Sequence, residues 1–491
     1  MTILFLHPLE ATERMPWYLA AAESLARDHG CRVVFVYTAR QGGVKSNLVD
    51  VFWFEEWARA NDARIRAQDP WELEQRFGLT NLYLAAVAER RFSDYSFLGH
   101  GHWCRRLPIE RLEYYVKAAT LFYEEIVRRY GVEVAVAHAP DNLHSALLYL
   151  MAPDLNFHAV GLYRDVYWDP RSHYLLDDGH YRSDLLRLRY QAFRSQWDEF
   201  VAPVVEECAE FIRKRASGDP MKHTSLLKNR GVMEILGGAA SAFVGRRKRF
   251  SLARPDILDA MHTRDPVDAT ICTLTRVANR LRAGVPGVRD LAGTGRYVFF
   301  PLHLQPEATV LVSAPVYGNQ LAVVQAVSAS LPMGYRLVVK DHPIIGGRRS
   351  PSFYRDIQAL PNVVLAKENV SGVDIVNQCD AVVTIKGTAG FDAVLRGKPV
   401  LTLAPVWYED APLVTQVHDL QTLPLVLKRV LLSRVDPEAH RRDLLAFVAA
   451  FRSIMFRDDD YESSDPERKG RGMARLLMQM LAARDAAVKG S

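Results

Sequence analysis

Short apolar runs alternate with longer amphipathic stretches along most of the chain. The runs TILFL (Thr2–Leu6) and RVVFVY (Arg32–Tyr37) flank a stretch with helical apolar spacing that ends at Gly30. Runs rich in β-branched and aromatic residues predict buried strands, whereas apolar positions three and four apart predict a helix. Strand, helix, glycine and strand form a β–α–β unit. We therefore predict a parallel sheet with helices on both of its faces.

The second half of the chain repeats this alternation. Strands are predicted at 297–300, 336–339, 363–365, 381–385 and 399–403, with helices at 319–331, 352–360, 373–378 and 388–395. The glycine-rich stretch GVPGVRDLAGTGR, which precedes the first of these strands, is typical of a domain boundary. We predict an α/β fold in three parts, listed with their bounds: an N-terminal Rossmann-like domain at 1–290 with a helical segment at about 181–283, a C-terminal Rossmann-like domain at 291–435, and trailing helices at 436–491 that pack back toward the N-terminal domain.

Composition narrows the class of protein. A chain of 491 residues with 49% hydrophobic and 24% charged residues is typical of a globular enzyme with two or more domains. The net charge of +5 is too small for a nucleic-acid-binding footprint, so we expect no nucleic-acid partner. The five cysteines show neither a zinc spacing nor a disulfide framework.

Localisation is inferred from the absence of targeting features. The sequence has no signal peptide and no apolar run long enough to span a membrane, so we expect a cytoplasmic protein. A basic run at residues 246–254 has two interpretations. It is either a solvated surface loop or a peripheral contact with an anionic membrane such as the bacterial inner membrane.

Polar and glycine-rich residues follow three of the predicted strands of the second half. These segments begin at His303, Lys340 and Lys386. In open α/β sheets the ligand lies just past the carboxyl ends of the strands. Cationic side chains and glycines at these positions favour a ligand that carries phosphate.

The segment Lys386-Gly387-Thr388-Ala389-Gly390 follows a strand and opens a helix. Its glycines allow a ligand to approach the backbone, and a helix start offers N–H groups to an anion. Thr388 is suited both to cap the helix and to donate to a phosphate. The segment is neither a Walker loop nor a complete dinucleotide fingerprint, and a tight turn without a ligand is the alternative.

The other two segments offer acid–base groups. His342 and Pro343 follow Lys340, and a histidine at a strand end can bond a phosphate or ribose or protonate a leaving phosphate. Glu307 follows His303 and Gln305, and a carboxylate there suits a nucleophile or base in glycosyl transfer. The alternatives are a structural His-Pro turn and a glutamate that caps the next helix.

A series of motifs in this region is specific to one family. FPLHLQPEAT, VYGNQ, VVKDHP, FYRDI, LPNVVL and DAVVTIKGTAGFDAVLRGKPVLTL occur in this order between residues 297 and 408. They resemble the capsule polysaccharide biosynthesis family of bacterial glycosyltransferases, which is related to the Kdo (3-deoxy-manno-octulosonate) transferases. The resemblance implies a GT-B fold, in which two Rossmann-like domains face a cleft. It also implies that the C-terminal domain holds a nucleotide sugar and the N-terminal domain an acceptor.

The resemblance also assigns candidate roles. A His-Pro pair binds cytidylate in related CMP-sugar transferases, and a Ser/Thr-containing helix start binds the phosphate. The implied nucleotide-binding residues are Lys340, His342, Pro343, Ser371, Lys386, Gly387, Thr388, Ala389 and Gly390. Glu307 is the implied catalytic carboxylate, with His303 and Gln305 shaping the sugar site. The family's Kdo-transferring relatives carry an acidic signature there, whereas this chain has a single carboxylate, so the stereochemical outcome stays open.

The first half offers weaker candidates. His138, Asp141 and Asn142 follow the predicted strand VEVAVA and are candidates for the acceptor site, with an ordinary surface loop as the alternative. No metal-binding motif stands at a strand end. We therefore expect no metal and no cofactor besides the nucleotide-sugar donor, because basic residues and a helix dipole can neutralise a departing phosphate.

Together these observations predict a glycosyltransferase that moves a CMP-activated, Kdo-like ulosonic acid onto a saccharide, lipid-linked or protein acceptor. Two alternatives remain open. One is a UDP- or GDP-sugar transferase or a non-hydrolysing nucleotide-sugar epimerase on the same fold. The other is a non-catalytic factor in polysaccharide assembly or export, because a fold alone does not fix a function.

Overall fold

The computed structural model describes most of the chain. The described residues are 1–6, 15–38, 45–78, 81–88, 109–137, 140, 142–165, 167–217, 274, 277–279, 281, 287–305, 308–342 and 349–489.

Two six-stranded sheets organise the molecule. The strands are β1 (Thr2–Leu6), β2 (Arg32–Tyr37), β3 (Asp50–Trp53), β4 (Val134–Ala137), β5 (His158–Arg164), β6 (His173–Leu176), β7 (Tyr297–Pro301), β8 (Arg336–Lys340), β9 (Val363–Ala366), β10 (Ala381–Thr384), β11 (Val400–Thr402) and β12 (Val414–Gln416). The first sheet has the order β3-β2-β1-β4-β5-β6 and the second β12-β11-β10-β7-β8-β9. All neighbours are parallel except β6, which runs antiparallel to β5. Numbered within each half, both orders read 3-2-1-4-5-6, the Rossmann order. The predicted α/β fold class with two Rossmann-like domains of the GT-B type is confirmed.

Helices cover the sheets. They are α1 (Met15–His29), α2 (Phe54–Ala60), α3 (Asp62–Ala67), α4 (Pro70–Gln75), α5 (Leu84–Ala88), α6 (Ile109–Tyr130), α7 (Leu143–Leu155), α8 (Asp184–Ser195), α9 (Trp197–Phe200), α10 (Val205–Ala216), α11 (Ala308–Leu311), α12 (Gln320–Ala329), α13 (Pro351–Gln358), α14 (Gly372–Gln378), α15 (Thr388–Val394), α16 (Leu423–Leu432), α17 (Pro437–Ser453) and α18 (Pro466–Lys489).

Several helices begin at a polar cap followed by proline. The side chain of Asp69 accepts from Glu72 N, and that of Ser350 accepts from Phe353 N. Such a cap satisfies an N–H that has no partner inside the helix, and the fixed φ of proline suits the first helical position. These local signals explain why α4 and α13 begin where they do.

The central strands of the second sheet are buried on both faces. Val298 and Phe300 of β7 belong to the apolar cluster that includes residues of α12, α13 and α16. Phe299, between them, belongs to the cluster on the other face, with residues of α14, α15 and α17. A parallel strand that helices cover on both faces has a continuous apolar sequence, and β7 shows this pattern.

The C-terminal helices return to the first half of the molecule. In α18 the helix backbone approaches α1 closely, since a Cβ atom at Gly470 would lie 2.6 Å from Ala21 N. Apolar residues of α17 share a cluster with residues of α8, β6 and the second domain. Within that cluster the rings of Tyr167 and Phe391 lie 5.0 Å apart, so the two halves of the molecule are packed through one apolar core.

Three strands were not predicted. β3 is mostly half-buried, β12 has only three half-buried residues, and β6 is the antiparallel edge strand. Partial burial explains the weaker signal of β3 and β12. β6 is fully buried, but a run of four residues is too short to identify a strand from the sequence.

Parts of the predicted helical segment are described. Its residues up to 217 hold α8, α9 and α10, whereas the basic run at 246–254 lies outside the described residues. None of the described helices combines the length and apolar composition that crossing a bilayer requires.

Candidate functional site

The order of the second sheet reverses between β7 and β10, which are adjacent parallel strands. His303 follows β7 and Lys386 follows β10. The backbone N–H of Lys386 donates to His303 Nε2 at 3.1 Å, so the two loops are joined directly at the point where a Rossmann-like sheet offers its crevice. β8 pairs with β7 on the other side and adds Asp341 and His342 to the same edge.

His303 is held in one tautomer. Its Nε2 accepts a hydrogen bond, so in the neutral ring the proton is on Nδ1. Its backbone N–H donates to Gln320 Oε1 at 2.8 Å, and its carbonyl accepts from Gln320 Nε2 at 3.1 Å. Burial, with smaller effects of the cationic forms of His342 and of Arg349, lowers the pKa of His303 to about 3. The ring is therefore a neutral donor at ordinary pH.

A buried ion pair lies beneath these loops. Arg349 Nε donates to Asp341 Oδ2 at 3.0 Å, and the two side chains are only 1% and 5% exposed. The other oxygen of Asp341 accepts from the backbone N–H of His342 at 2.7 Å. Tyr354 completes the set by donating its hydroxyl to Asp341 Oδ2 at 2.7 Å, since burial keeps the pKa of this phenol far above its ordinary value.

Arg349 connects the ends of β7 and β8. Its Nη2 donates to the carbonyl of His303 at 2.6 Å, and its Nη1 donates to Gln305 Oε1 at 3.3 Å. Gln305 is fully buried and donates its amide to Gly318 O at 2.7 Å. Arg349 follows the segment that begins at Lys340, where cationic side chains were expected to suit a phosphate. Its guanidinium instead bonds the Asp341 carboxylate, the Gln305 amide oxygen and the His303 carbonyl. No local sequence pattern marks Arg349 as buried, because its partners His303 and Gln305 are distant in the chain.

The loop from Lys386 to Gly390 is closely supported. Gly387 N donates to Thr384 Oγ1 at 3.0 Å, and Gly387 O accepts from the Tyr408 hydroxyl at 2.6 Å. A Cβ atom at Gly387 would lie 2.8 Å from Thr384 Oγ1, and one at Gly390 would overlap the Tyr408 hydroxyl. Both positions therefore require glycine for close packing.

Thr388 is not the helix cap that the sequence predicted. Gly387 occupies the cap position without a side-chain hydrogen bond, and Thr388 is the first residue of α15. The Thr388 side chain is exposed and Ala389 is half-buried. Because Gly387 already ends the preceding turn in an extended conformation, the threonine hydroxyl faces outward at the start of the helix.

The Lys386 side chain extends to the other half of the molecule. Its Nζ donates to His180 O at 2.7 Å and lies 5.1 Å from the centre of the Tyr181 ring. Burial lowers the pKa of Lys386 to about 7, against the opposing effects of Asp178 and Glu409. This lysine is therefore a contact between the two domains whose charge changes near neutral pH.

Other contacts join the same loop, residues 177–182, to the second domain. Ser313 Oγ donates to Gly179 O at 3.0 Å, and Arg182 pairs with Glu409 at 3.5 Å. Tyr181 has a φ of 65°, which is uncommon for a non-glycine residue and is sustained here by the surrounding contacts. No local pattern indicates this loop, since its contacts are to residues far along the chain.

The remaining candidates are dispersed. Lys340 is buried, its Nζ donates to Asp341 O at 3.2 Å, and burial lowers its pKa. Ser371 and Asn142 are helix caps that accept from Asp374 N and Ser145 N. Four candidates lie outside the described residues: Glu307, Pro343, His138 and Asp141.

The order of the first sheet reverses between β1 and β4, and a small cavity lies at the ends of these two strands. It measures about 30 Å³ and is lined by Leu6 and Ala137, at the ends of β1 and β4, together with Tyr18 and Tyr461. Across the part of the chain that the structure describes, no three histidine, cysteine or acidic side chains are grouped closely enough to hold a metal ion.

Comparisons with known proteins concern the second domain most directly. Residues 287–424 match the family model described as Capsule polysaccharide biosynthesis protein. A search of curated proteins found no match.

Solved structures overlap a larger share of the chain. The beta Kdo 2,7 transferase of Thermosulfurimonas dismutans KpsC has a TM-score of 0.32 and 14% identity, covering 73% of this chain and 89% of that one. The beta Kdo 2,4 transferase of the same protein has a TM-score of 0.30 and 13% identity, covering 65% and 79%. UDP-GlcNAc 2-epimerase from Methanocaldococcus jannaschii has a TM-score of 0.26 and 10% identity, covering 92% and 98%. Likenesses of this extent carry no conclusion about activity.

The matched residues contain β7 to β12, the joined loops at His303 and Lys386, and the ion pair beneath them. The motifs that indicated the family lie within the same bounds. Residues 287–424 are therefore the part of this chain that is similar to the capsule polysaccharide biosynthesis family, the family that the sequence motifs indicated.

Proposed function

We propose that the protein is a glycosyltransferase of surface polysaccharide biosynthesis that uses a CMP-activated, Kdo-like ulosonic acid as donor. The observation that supports this proposal is the junction of the β7 and β10 loops at the switch point of a capsule-family domain. The acceptor is a saccharide, free or attached to lipid or protein.

The arrangement suits the departure of a nucleotide phosphate. The first N–H groups of α15 provide backbone donors, and His342 follows β8, on the other side of β7. Donors fixed in advance stabilise the negative charge that develops on a leaving group. In the proposed reaction the bond between the anomeric carbon and the phosphate oxygen breaks, and CMP leaves with that electron pair.

The acceptor must lose a proton as the new bond forms. We assign this chemistry to the carboxylate of Glu307, which stands two positions after the buried Gln305 in the sequence. Either it takes the proton of the attacking hydroxyl, or it attacks the anomeric carbon first and is then displaced by the acceptor hydroxyl, whose proton passes to the released carboxylate. Both routes end with the sugar on the acceptor oxygen. His303 is proposed to shape the sugar site through the loop that its Nε2 holds at Lys386.

Nucleotide binding tests the donor. CMP, UDP and GDP are added separately to the intact protein, and the melting temperature is recorded. CMP at about 100 times its dissociation constant stabilises a protein by about 2.7 kcal/mol. His342→Ala should lose this stabilisation, whereas His418→Ala, at an exposed histidine of the same domain, should keep it. Stabilisation by UDP or GDP alone would replace the proposed donor, and no stabilisation by any nucleotide would favour a non-catalytic assembly factor.

Turnover tests the carboxylate. Release of CMP from a CMP-ulosonic acid in the presence of a saccharide acceptor should be lost in Glu307→Ala while CMP binding is retained. Undiminished turnover in this variant removes Glu307 from the mechanism and leaves the donor assignment intact.

A further inference from the structure

The helix α16 follows the edge strand β12 and packs on the second domain with one face. Leu423 and Leu427 on that face are fully buried in the cluster beneath the second sheet. The opposite face of the helix, called its outer face below, points away from the protein.

Two large apolar residues stand on this outer face. Leu425 is 71% exposed and Leu432 is 72% exposed. They are seven positions apart, so at 3.6 residues per turn they lie within about 20° of each other around the helix axis and form one ridge.

Cations flank the ridge. Lys428 and Arg429 are both exposed, and each lies about 50° to one side of the line between the two leucines. Arg434 continues the positive charge just beyond the helix. The acidic residues at the two ends serve as caps, since Asp419 accepts from Gln421 N and Asp436 accepts from Glu438 N.

Another exposed apolar side chain lies in the same domain. Val316 is 84% exposed on the short turn Pro315–Tyr317. The neighbouring Tyr317 packs, like Leu420 before α16, against the apolar cluster that holds Leu423 and Leu427.

An apolar ridge bordered by lysine and arginine fits the interface of an anionic bilayer. Leucines enter the acyl boundary, and the long cationic side chains keep their charges at the headgroups. A second copy of the chain fits less well. A two-fold contact through this ridge would bring Lys428 and Arg429 against the same cations of the partner.

We propose that the outer face of α16 is a surface through which this protein rests on an anionic membrane. The proposal is independent of the donor and of the catalytic residues. It also differs from the contact considered for the basic run at 246–254.

Vesicle binding tests the surface. The full-length protein is sedimented with vesicles of phosphatidylcholine alone or with added phosphatidylglycerol. Binding should require the anionic lipid. Leu425→Ser with Leu432→Ser should weaken it by roughly tenfold or more, and Lys428→Glu with Arg429→Glu by roughly 25-fold or more. Leu48→Ser, at a 47% exposed leucine of the first domain, should bind like the unaltered protein.

The changed side chains are exposed, so circular dichroism should show an unaltered fold in each variant. Three results would overturn the proposal. These are equal binding to uncharged vesicles, unchanged binding by both α16 variants, and conversion of a dimer to a monomer by the leucine variant with vesicle binding preserved. Loss of binding when residues 246–249 are neutralised, with the α16 variants unaffected, would move the contact to the basic run.

Discussion

Replacing Arg349 with methionine tests whether the buried ion pair holds the strand ends of the site together. Methionine has a similar length and no charge, so it removes the three hydrogen bonds to Asp341, Gln305 and His303 without opening a large cavity. It leaves the Asp341 carboxylate buried with two remaining donors, Tyr354 and the His342 N–H.

The magnitude follows from burial. Arg349 and Asp341 are 1% and 5% exposed, so the carboxylate cannot recover its solvation in water. Removing one partner of such a pair costs about 3–5 kcal/mol, whereas breaking an exposed pair costs about 0–1 kcal/mol. The double variant Arg349→Met with Asp341→Asn removes both charges, and it should cost less than the sum of the two single changes.

Urea denaturation followed by circular dichroism measures the loss of stability. Arg336→Met, at an exposed arginine that begins β8, provides the matched control and should change stability by less than about 0.5 kcal/mol. CMP binding should weaken in Arg349→Met even where the protein is folded, because the carbonyl of His303 and the backbone of His342 lose their anchor. A loss of about 1 kcal/mol or less, or strictly additive effects in the double variant, would refute the reasoning.

Two further predictions concern the joined loops. The folded-state pKa of His303 is about 3, below its unfolded value of about 6.5, so the free energy of unfolding should fall as the pH drops below 6.5, by about 2 kcal/mol at pH 5. Urea denaturation at pH 7.5 and pH 5 should show a smaller fall in the variant His303→Gln than in the unaltered protein. An equal fall in both would contradict the assignment. Gly390→Ala should lower the free energy of unfolding by about 1–3 kcal/mol and reduce turnover, because the new methyl group would overlap the hydroxyl of the buried Tyr408. The control is Gly372→Ala, where a Cβ atom meets nothing within 4 Å. This variant should have the melting temperature and the turnover of the unaltered protein.

The sequence predicted the central strands of both sheets and most helices between them in the second domain. β7, β8 and β10 are continuous apolar runs because helices cover both faces of their sheet. Burial on this scale leaves a local pattern that needs no knowledge of the neighbours. The edge strands β3 and β12 lack that pattern because one side of each is open.

The same contrast applies to the site. His303, His342 and Lys386 were identified from their positions just past apolar runs, and the parallel pairing of β7 with β8 and β10 brings them to one edge. Their present partners were not predictable. Lys386 was expected to face a nucleotide, and its ammonium instead contacts His180, 206 positions away in the chain.

By itself the sequence determined which segments become buried strands, where they end, and which family the second domain resembles, because apolar periodicity and motif order are local properties. The tertiary structure alone decided that Arg349 is a buried support, that Gly387 and Gly390 need the space their missing side chains leave, and that Lys386 joins two domains. The physical reason is common to all three. The state of a polar side chain depends on its solvation and on partners supplied by distant elements, and a linear pattern records neither.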